Sequence, residues 1–254
     1  MGAFQSDSLK IAFDDVGAGE GRPMVLVHGF ASNRKENWQR LGWYGAFERK
    51  RIRCVALDCR GHGESGKPHD ALAYSRAAMA GDVLALASHL SIPRFHLMGY
   101  SMGARVALAA CLSAPERVAT LTLGGVGKRL MEPETRTGNP MAVAMEAASP
   151  DEISDPLLKS FRAFADEQGE DRLALAALTR APEVPFDWDA LKALKVPVLV
   201  VAGARDELAG DPEPFAHAFG DGRAVILPGC DHFSAIAHAL YKATVFDFLD
   251  GTLP

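Results

Sequence analysis

Ser101 stands at the centre of Gly99-Tyr100-Ser101-Met102-Gly103, with apolar Phe95, Leu97 and Met98 before it and an alanine-rich run after it. The pattern reads as a strand, a very tight turn and a helix. Gly99 and Gly103, two residues to either side of the serine, leave out a Cβ where the backbone must fold sharply against a neighbouring strand or helix. Such a turn lifts the Ser101 hydroxyl out of a sheet. It also puts the Met102 amide at the start of a helix, where unpaired N–H groups and the positive end of the dipole favour a developing oxyanion.

A serine hydroxyl is a poor nucleophile at neutral pH, so it needs a base within hydrogen-bond reach and a third group to hold that base in the right tautomer. Asp206 closes Gly203-Ala204-Arg205-Asp206 after the apolar run 196–202, and His232 lies in Gly229-Cys230-Asp231-His232-Phe233 after a strand expected at 224–227. Both, like Ser101, fall in a loop directly after a predicted strand, where ligands approach an open α/β sheet. Among the histidines, His232 alone combines a place near the C-terminus with a loop between the last strand and the last helix. Asp211 is the nearest rival acid, but it sits farther from its strand and precedes a proline; Asp231 reads as a loop-capping group. The histidines lack H-E-x-x-H or other ligand spacing, so neither a metal nor an organic cofactor is expected.

The elements that must position these residues follow from periodicity. Residues 9–14 alternate, a glycine-rich turn follows at 17–21, and 23–27 is a short apolar run, which together read as a hairpin feeding a buried strand. Further strands are expected at 53–57 and 118–123, and helices at 38–50, 75–90 and 235–249. Alternating strands and helices of this kind require a mostly parallel sheet covered on both faces. From 125 to 194 the pattern changes: prolines break it into short helical pieces.

The first buried strand ends in His28-Gly29-Phe30, the next in Asp58-Cys59-Arg60-Gly61-His62-Gly63-Glu64-Ser65-Gly66, and a third in the Ser101 turn. These three motifs together resemble the serine-nucleophile α/β-hydrolase family over nearly the whole chain apart from the middle segment. The resemblance implies an α/β fold with a mostly parallel, doubly wound central sheet. It implies a core of residues 1–124 and 195–254, with 125–194 inserted as a small helical cap. Leu157, Leu158, Phe161 and Phe164 would then pack the cap or line an acyl pocket. The family's order of serine, acid and histidine is met by Ser101, Asp206 and His232. Where some members carry the acid after the strand before the cap, this chain has Gly124-Gly125-Val126. The oxyanion hole would be the amides of Phe30 and Met102, with Gly99, Tyr100 and Gly103 forming the nucleophile elbow; His28 belongs to the oxyanion loop and His62 to a turn.

The activity so implied is that of a carboxylesterase acting on short or medium acyl esters through an acyl-enzyme on Ser101. A cofactor-free haloperoxidase or perhydrolase, a thioesterase, a lactonase and a carbon–carbon bond hydrolase share the same machinery. A hydrolase-fold ligand receptor is the alternative outside enzymes. A serine at 101 disfavours members with an aspartate nucleophile, and a histidine base implies that activity falls on the acid side.

Composition narrows the partners. A net charge of −5 over 254 residues, with no local Lys/Arg cluster, gives no attraction to nucleic acid. The longest apolar stretches, such as 196–204, fall well short of the roughly 18 residues that span a bilayer. Cys54, Cys59, Cys111 and Cys230 form no C-x-x-C pair and read as reduced core thiols, and the first ten residues carry no secretion pattern. A cytoplasmic protein with a small-molecule ester substrate is expected; its oligomeric state is left open.

Overall fold

The computed structural model describes residues 1–19, 21–132, 138–182 and 184–253. Eight strands form one sheet: β1 (Gly2–Ser6), β2 (Leu9–Val16), β3 (Met24–Val27), β4 (Cys54–Leu57), β5 (Phe95–Tyr100), β6 (Val118–Gly124), β7 (Val198–Gly203) and β8 (Gly222–Leu227). Their order across the sheet is β1-β2-β4-β3-β5-β6-β7-β8. Strands β1 and β2 are antiparallel to their neighbours, and every pair from β4 to β8 is parallel.

The central strands β3, β4 and β7 are buried end to end because both faces are covered. In β3, Val25 and Val27 enter a core shared with α2 (Arg76–His89) and α3 (Met102–Ser113). Met24 and Leu26 enter the opposite core, which holds Trp43 and Phe47 of α1 (Trp43–Arg49) and Tyr241, Val245 and Phe248 of α9 (Ala239–Leu249). All four cysteines are free and buried in or beside these cores, and burial pushes the Cys54 and Cys111 thiols up to about 12.

Two expectations are corrected. Strands β2 and β3 are not a hairpin: β2 pairs with β1 and, through Phe13–Leu57 to Val16–Cys54, with β4, while β3 lies beyond β4. The alternation at 9–14 did not say which strand would pair with β2. The helix expected at 38–50 is also broken: Gly42 adopts φ +75°, so a turn of π-helix (Lys35–Gln39) ends before α1 begins.

Between β6 and β7 the structure places α4 (Pro140–Glu146), α5 (Pro156–Glu167), α6 (Arg172–Thr179) and α7 (Trp188–Ala193), and the short α8 (Glu213–Ala216) lies between β7 and β8. Several prolines that break the pattern in this segment start helices. Asn139 and Asp155 cap α4 and α5 with their side chains, and Pro140 and Pro156 take the first helical position, where a missing N–H costs nothing. Asp171 and Asp187 cap α6 and α7 in the same way. Met145, Phe161, Ala165, Leu175 and Ala176 form a separate small core that closes on Ala31 and Phe30, in the loop after β3.

Candidate active site

Ser101 sits between β5 and α3 at φ +54°, ψ −115°, with its amide donating to the Gly124 carbonyl at 2.7 Å. A Cβ on Gly99 would overlap the Gly103 carbonyl, and one on Gly103 would overlap the carbonyl of Val27 in β3. The two glycines therefore let the α3 backbone press directly on the strands, and this close approach forces the strained serine outward.

Asp206, after β7, and His232, after β8, reach the same point. His232 Nδ1 lies 3.0 and 2.9 Å from the two Asp206 carboxylate oxygens, and Nε2 lies 2.9 Å from Ser101 Oγ. With Nδ1–H donating to the carboxylate, Nε2 is left to accept the Ser101 hydroxyl proton. Asp206 is 4% and His232 7% exposed. Asp206 Oδ1 also accepts from the amides of Leu208 (3.1 Å) and Ala209 (2.9 Å), which fixes the carboxylate plane. Tyr100 anchors the histidine loop, its hydroxyl donating to the His232 carbonyl at 2.6 Å. The rival Asp211 instead caps a turn through the Glu213 amide at 3.0 Å. Asp231 caps the turn after it by accepting from Phe233 and Ser234, and the Ser234 bonds hold its carboxyl below the usual range.

The loop after β3 is braced on both sides of Phe30. Gly29 N donates to Asn37 Oδ1 at 2.8 Å, and Ala31 N donates to His62 Nε2 at 3.2 Å. Among the described residues, the amides of Phe30 and Met102 form no hydrogen bond. His28 Nε2 accepts from the Cys59 amide at 2.9 Å, so its Nδ1–H faces the Gly29 carbonyl at 2.8 Å. Burial pushes His28 below its ordinary pKa and His62 well below, so both act as neutral braces. Asn37 and the bracing role of His62 carried no sequence signal, because their partners Gly29 and Ala31 lie 8 and 31 residues away and only the folded loop brings them together.

The motif from Asp58 to Gly66 is structural. Asp58 is buried, pairs with the Arg34 guanidinium, and accepts from the amides of Arg34 and Glu64, both at 2.8 Å. Arg60 forms a bidentate pair with buried Asp82 at 2.7 Å. Gly63, at φ +51°, packs where a Cβ would strike the Asp58 carboxylate.

Above Ser101 lies a cavity of about 250 Å³ whose lining includes Phe30, Ser101, His232, Leu157, Phe161 and Arg105. Leu157 and Phe161 thus face it, whereas Leu158 is buried and Phe164 packs against the small helical core. Arg105, one helical turn after Ser101, is a charged wall residue that the sequence reading did not single out. Among the described residues no cluster of histidine, cysteine or carboxylate side chains could hold a metal ion, and no helix is long and apolar enough to cross a membrane.

Residues 24–242 match the sequence profile of the alpha/beta hydrolase family, and the chain belongs to it. It is 27% identical over 224 residues to a candidate 2-succinyl-6-hydroxy-2,4-cyclohexadiene-1-carboxylate synthase of Bacillus subtilis, covering 80% of each chain. The fold is that of an enol-lactonase from Burkholderia xenovorans LB400, with a TM-score of 0.80 at 23% identity, covering 98% of this chain and 100% of the other. A thermophilic esterase from Thermogutta terrifontis aligns with a TM-score of 0.73 at 26% identity, over 96% of this chain and 94% of its own.

Proposed function

We propose that the chain is a serine hydrolase of carboxylic esters with short acyl groups. The observation that carries this is the unbroken line from Asp206 through His232 to Ser101 Oγ at the floor of a cavity. Ser101 attacks the ester carbonyl while His232 Nε2 takes its proton. The amides of Phe30 and Met102 hold the oxyanion, and His232 returns the proton to the departing alcohol. Water, activated by the same imidazole, then frees the acid. Residues 1–124 and 195–254 form the core in this reading, and 125–194 the cap that shapes the acyl pocket. The cavity of about 250 Å³ lies below the roughly 300–1,000 Å³ of drug-sized ligand sites, which favours short acyl chains.

Hydrolysis of 4-nitrophenyl esters from acetate to decanoate, wild type beside Ser101→Ala, tests the proposal. The expected result is an optimum at or below hexanoate that collapses in the variant; equal turnover by both proteins would remove Ser101 from the chemistry.

A further inference from the structure

Glu170 is a buried carboxylate that the proposed acyl transfer does not use. It lies between α5 and α6 and is 8% exposed. Gly169, at φ +66°, turns the chain there, and the Glu170 amide donates to the Ala165 carbonyl at 3.0 Å. Its side chain leaves the helical segment and enters the sheet loops. Oε1 accepts from Asn33 Nδ2 at 3.2 Å, and Oε2 accepts from the Gly63 amide at 2.8 Å. Burial pushes the carboxyl above its ordinary range, against the opposing pull of the Gly63 N–H, the Asn33 amide and Lys67. A carboxylate kept at such a place is held by its bonds.

The two donors belong to the two walls of the loop that carries Phe30. Asn33 follows Phe30 by three residues, and its Oδ1 accepts from the amides of Lys35 (3.1 Å) and Glu36 (3.0 Å). Gly63 adjoins His62, whose Nε2 takes the amide proton of Ala31, the residue after Phe30. The Phe30 ring itself meets His62 at 6.1 Å and Phe161 of α5 at 5.9 Å, both edge to face. The neighbouring Asp171 makes a second tie, to His69 at 2.9 Å, but that pair is exposed and touches neither wall.

We infer that Glu170 is a positioning residue: its carboxylate transmits the seating of α5 and α6 to the Phe30 amide, so the oxyanion site is complete only with the helical segment in place. This rests on the assignment of Phe30 as an oxyanion donor under the proposed function.

The test uses Glu170→Ala and Glu170→Gln in the full chain. Each is assayed for kcat and KM on the preferred 4-nitrophenyl ester and for inhibition by a trifluoromethyl ketone of matching chain, which binds serine hydrolases as a tetrahedral oxyanion. Backbone hydrogen exchange is followed at residues 29–34 and 61–66. In the alanine variant kcat should fall by about 10- to 100-fold with KM changed less than about threefold, as expected for a donor displaced by a fraction of an ångström. Ketone affinity should weaken by the same factor as kcat/KM, and exchange in both loops should quicken. Glutamine, with one acceptor oxygen, should fall between alanine and wild type. A rise in KM alone, or an unchanged ketone affinity, would overturn the inference and leave Glu170 as a seat for the helices. Should the wild type hydrolyse none of the esters, the proposed function fails, and unchanged exchange in the two loops would still overturn the inference. If the alanine variant does not fold, the glutamine variant carries the same comparisons.

Discussion

Strand β3 buries all four of its residues, whereas α5 buries Leu158, Phe161, Arg162 and Ala165 among its twelve. The first pattern has neighbours on both faces; the second is the i, i+3, i+4, i+7 stripe of a helix lying on a surface. Both regions contribute to the cavity, but in different currencies. The sheet presents Ser101, Asp206 and His232 from strand ends whose backbones touch, so their geometry follows from close packing. The helices between β6 and β7 contribute Leu157 and Phe161 as walls, and they are seated by a small apolar core and a few polar ties such as Glu170. The sheet should therefore resist substitution and set the chemistry, while the helices should tolerate substitution and set which substrates enter.

The sharpest break between chemistry and stability is expected at Ser101. Ser101→Ala, in this reading, lowers kcat by ~10³-fold or more while the melting temperature stays within a degree or two of wild type, read by ester assay and calorimetry on one preparation. A parallel loss of stability would mean that the serine is part of the packing and not merely presented by it.

Gly103→Ala tests the sheet side. Its Cβ meets the Val27 backbone carbonyl, which cannot move without disturbing β3, so a loss of ~3 kcal/mol or more is expected by denaturant unfolding. A soluble, active alanine variant of near-native stability would show that α3 can stand away from the sheet.

A matched pair compares the regions directly. Leu97→Ala, in β5 and fully buried, should cost ~2–5 kcal/mol. Leu157→Ala, half-buried at the cavity, should cost under ~1.5 kcal/mol and move the ester optimum to longer chains. Equal stability losses with no change in chain-length preference would erase the distinction.

The last comparison is in pH dependence. His28 and His62, both in loops at strand ends, are held below their ordinary pKa by burial, and His96 is held down to about 4 by burial with help from Arg22 and Arg94. A depressed histidine pKa means that the unfolded chain takes up protons first. The stability from neutral burial is therefore full above pH ~6.5 and declines as the pH falls toward the folded values. Glu170 has the opposite sign: its pKa is raised, so folding is favoured as the pH falls through that value toward the ordinary carboxylate range. Melting temperatures from pH 8 to 5 should fall below about 6.5, and His62→Gln, which keeps an acceptor for Ala31 N, should flatten the decline. A slope unchanged by that substitution would place the acid sensitivity elsewhere.

Local patterns made part of this readable in advance. A strand, a turn with glycines two residues to either side of a serine, and a helix are specified by neighbouring residues, and Ser101 lies between β5 and α3 as that pattern says. Asp206 and His232 were legible because each follows an apolar strand, and the strand ends of a parallel sheet share one edge. The error over β2 and β3 has the same root. Alternation says how many faces are covered, not which strand lies beside it, and β2 found its partner 38 or more residues away in β4.

By itself, then, the order of residues determined the turn that presents Ser101, the apolar strands and the break into short helical pieces after β6, because each depends on steric and hydrogen-bonding preferences within a few residues. Only the tertiary structure decided the sheet order, the neutral His28 and His62 braces and the reach of Glu170 into two loops. Each of those is a contact between segments far apart in the chain, selected by packing and by the cost of leaving a buried polar group without a partner.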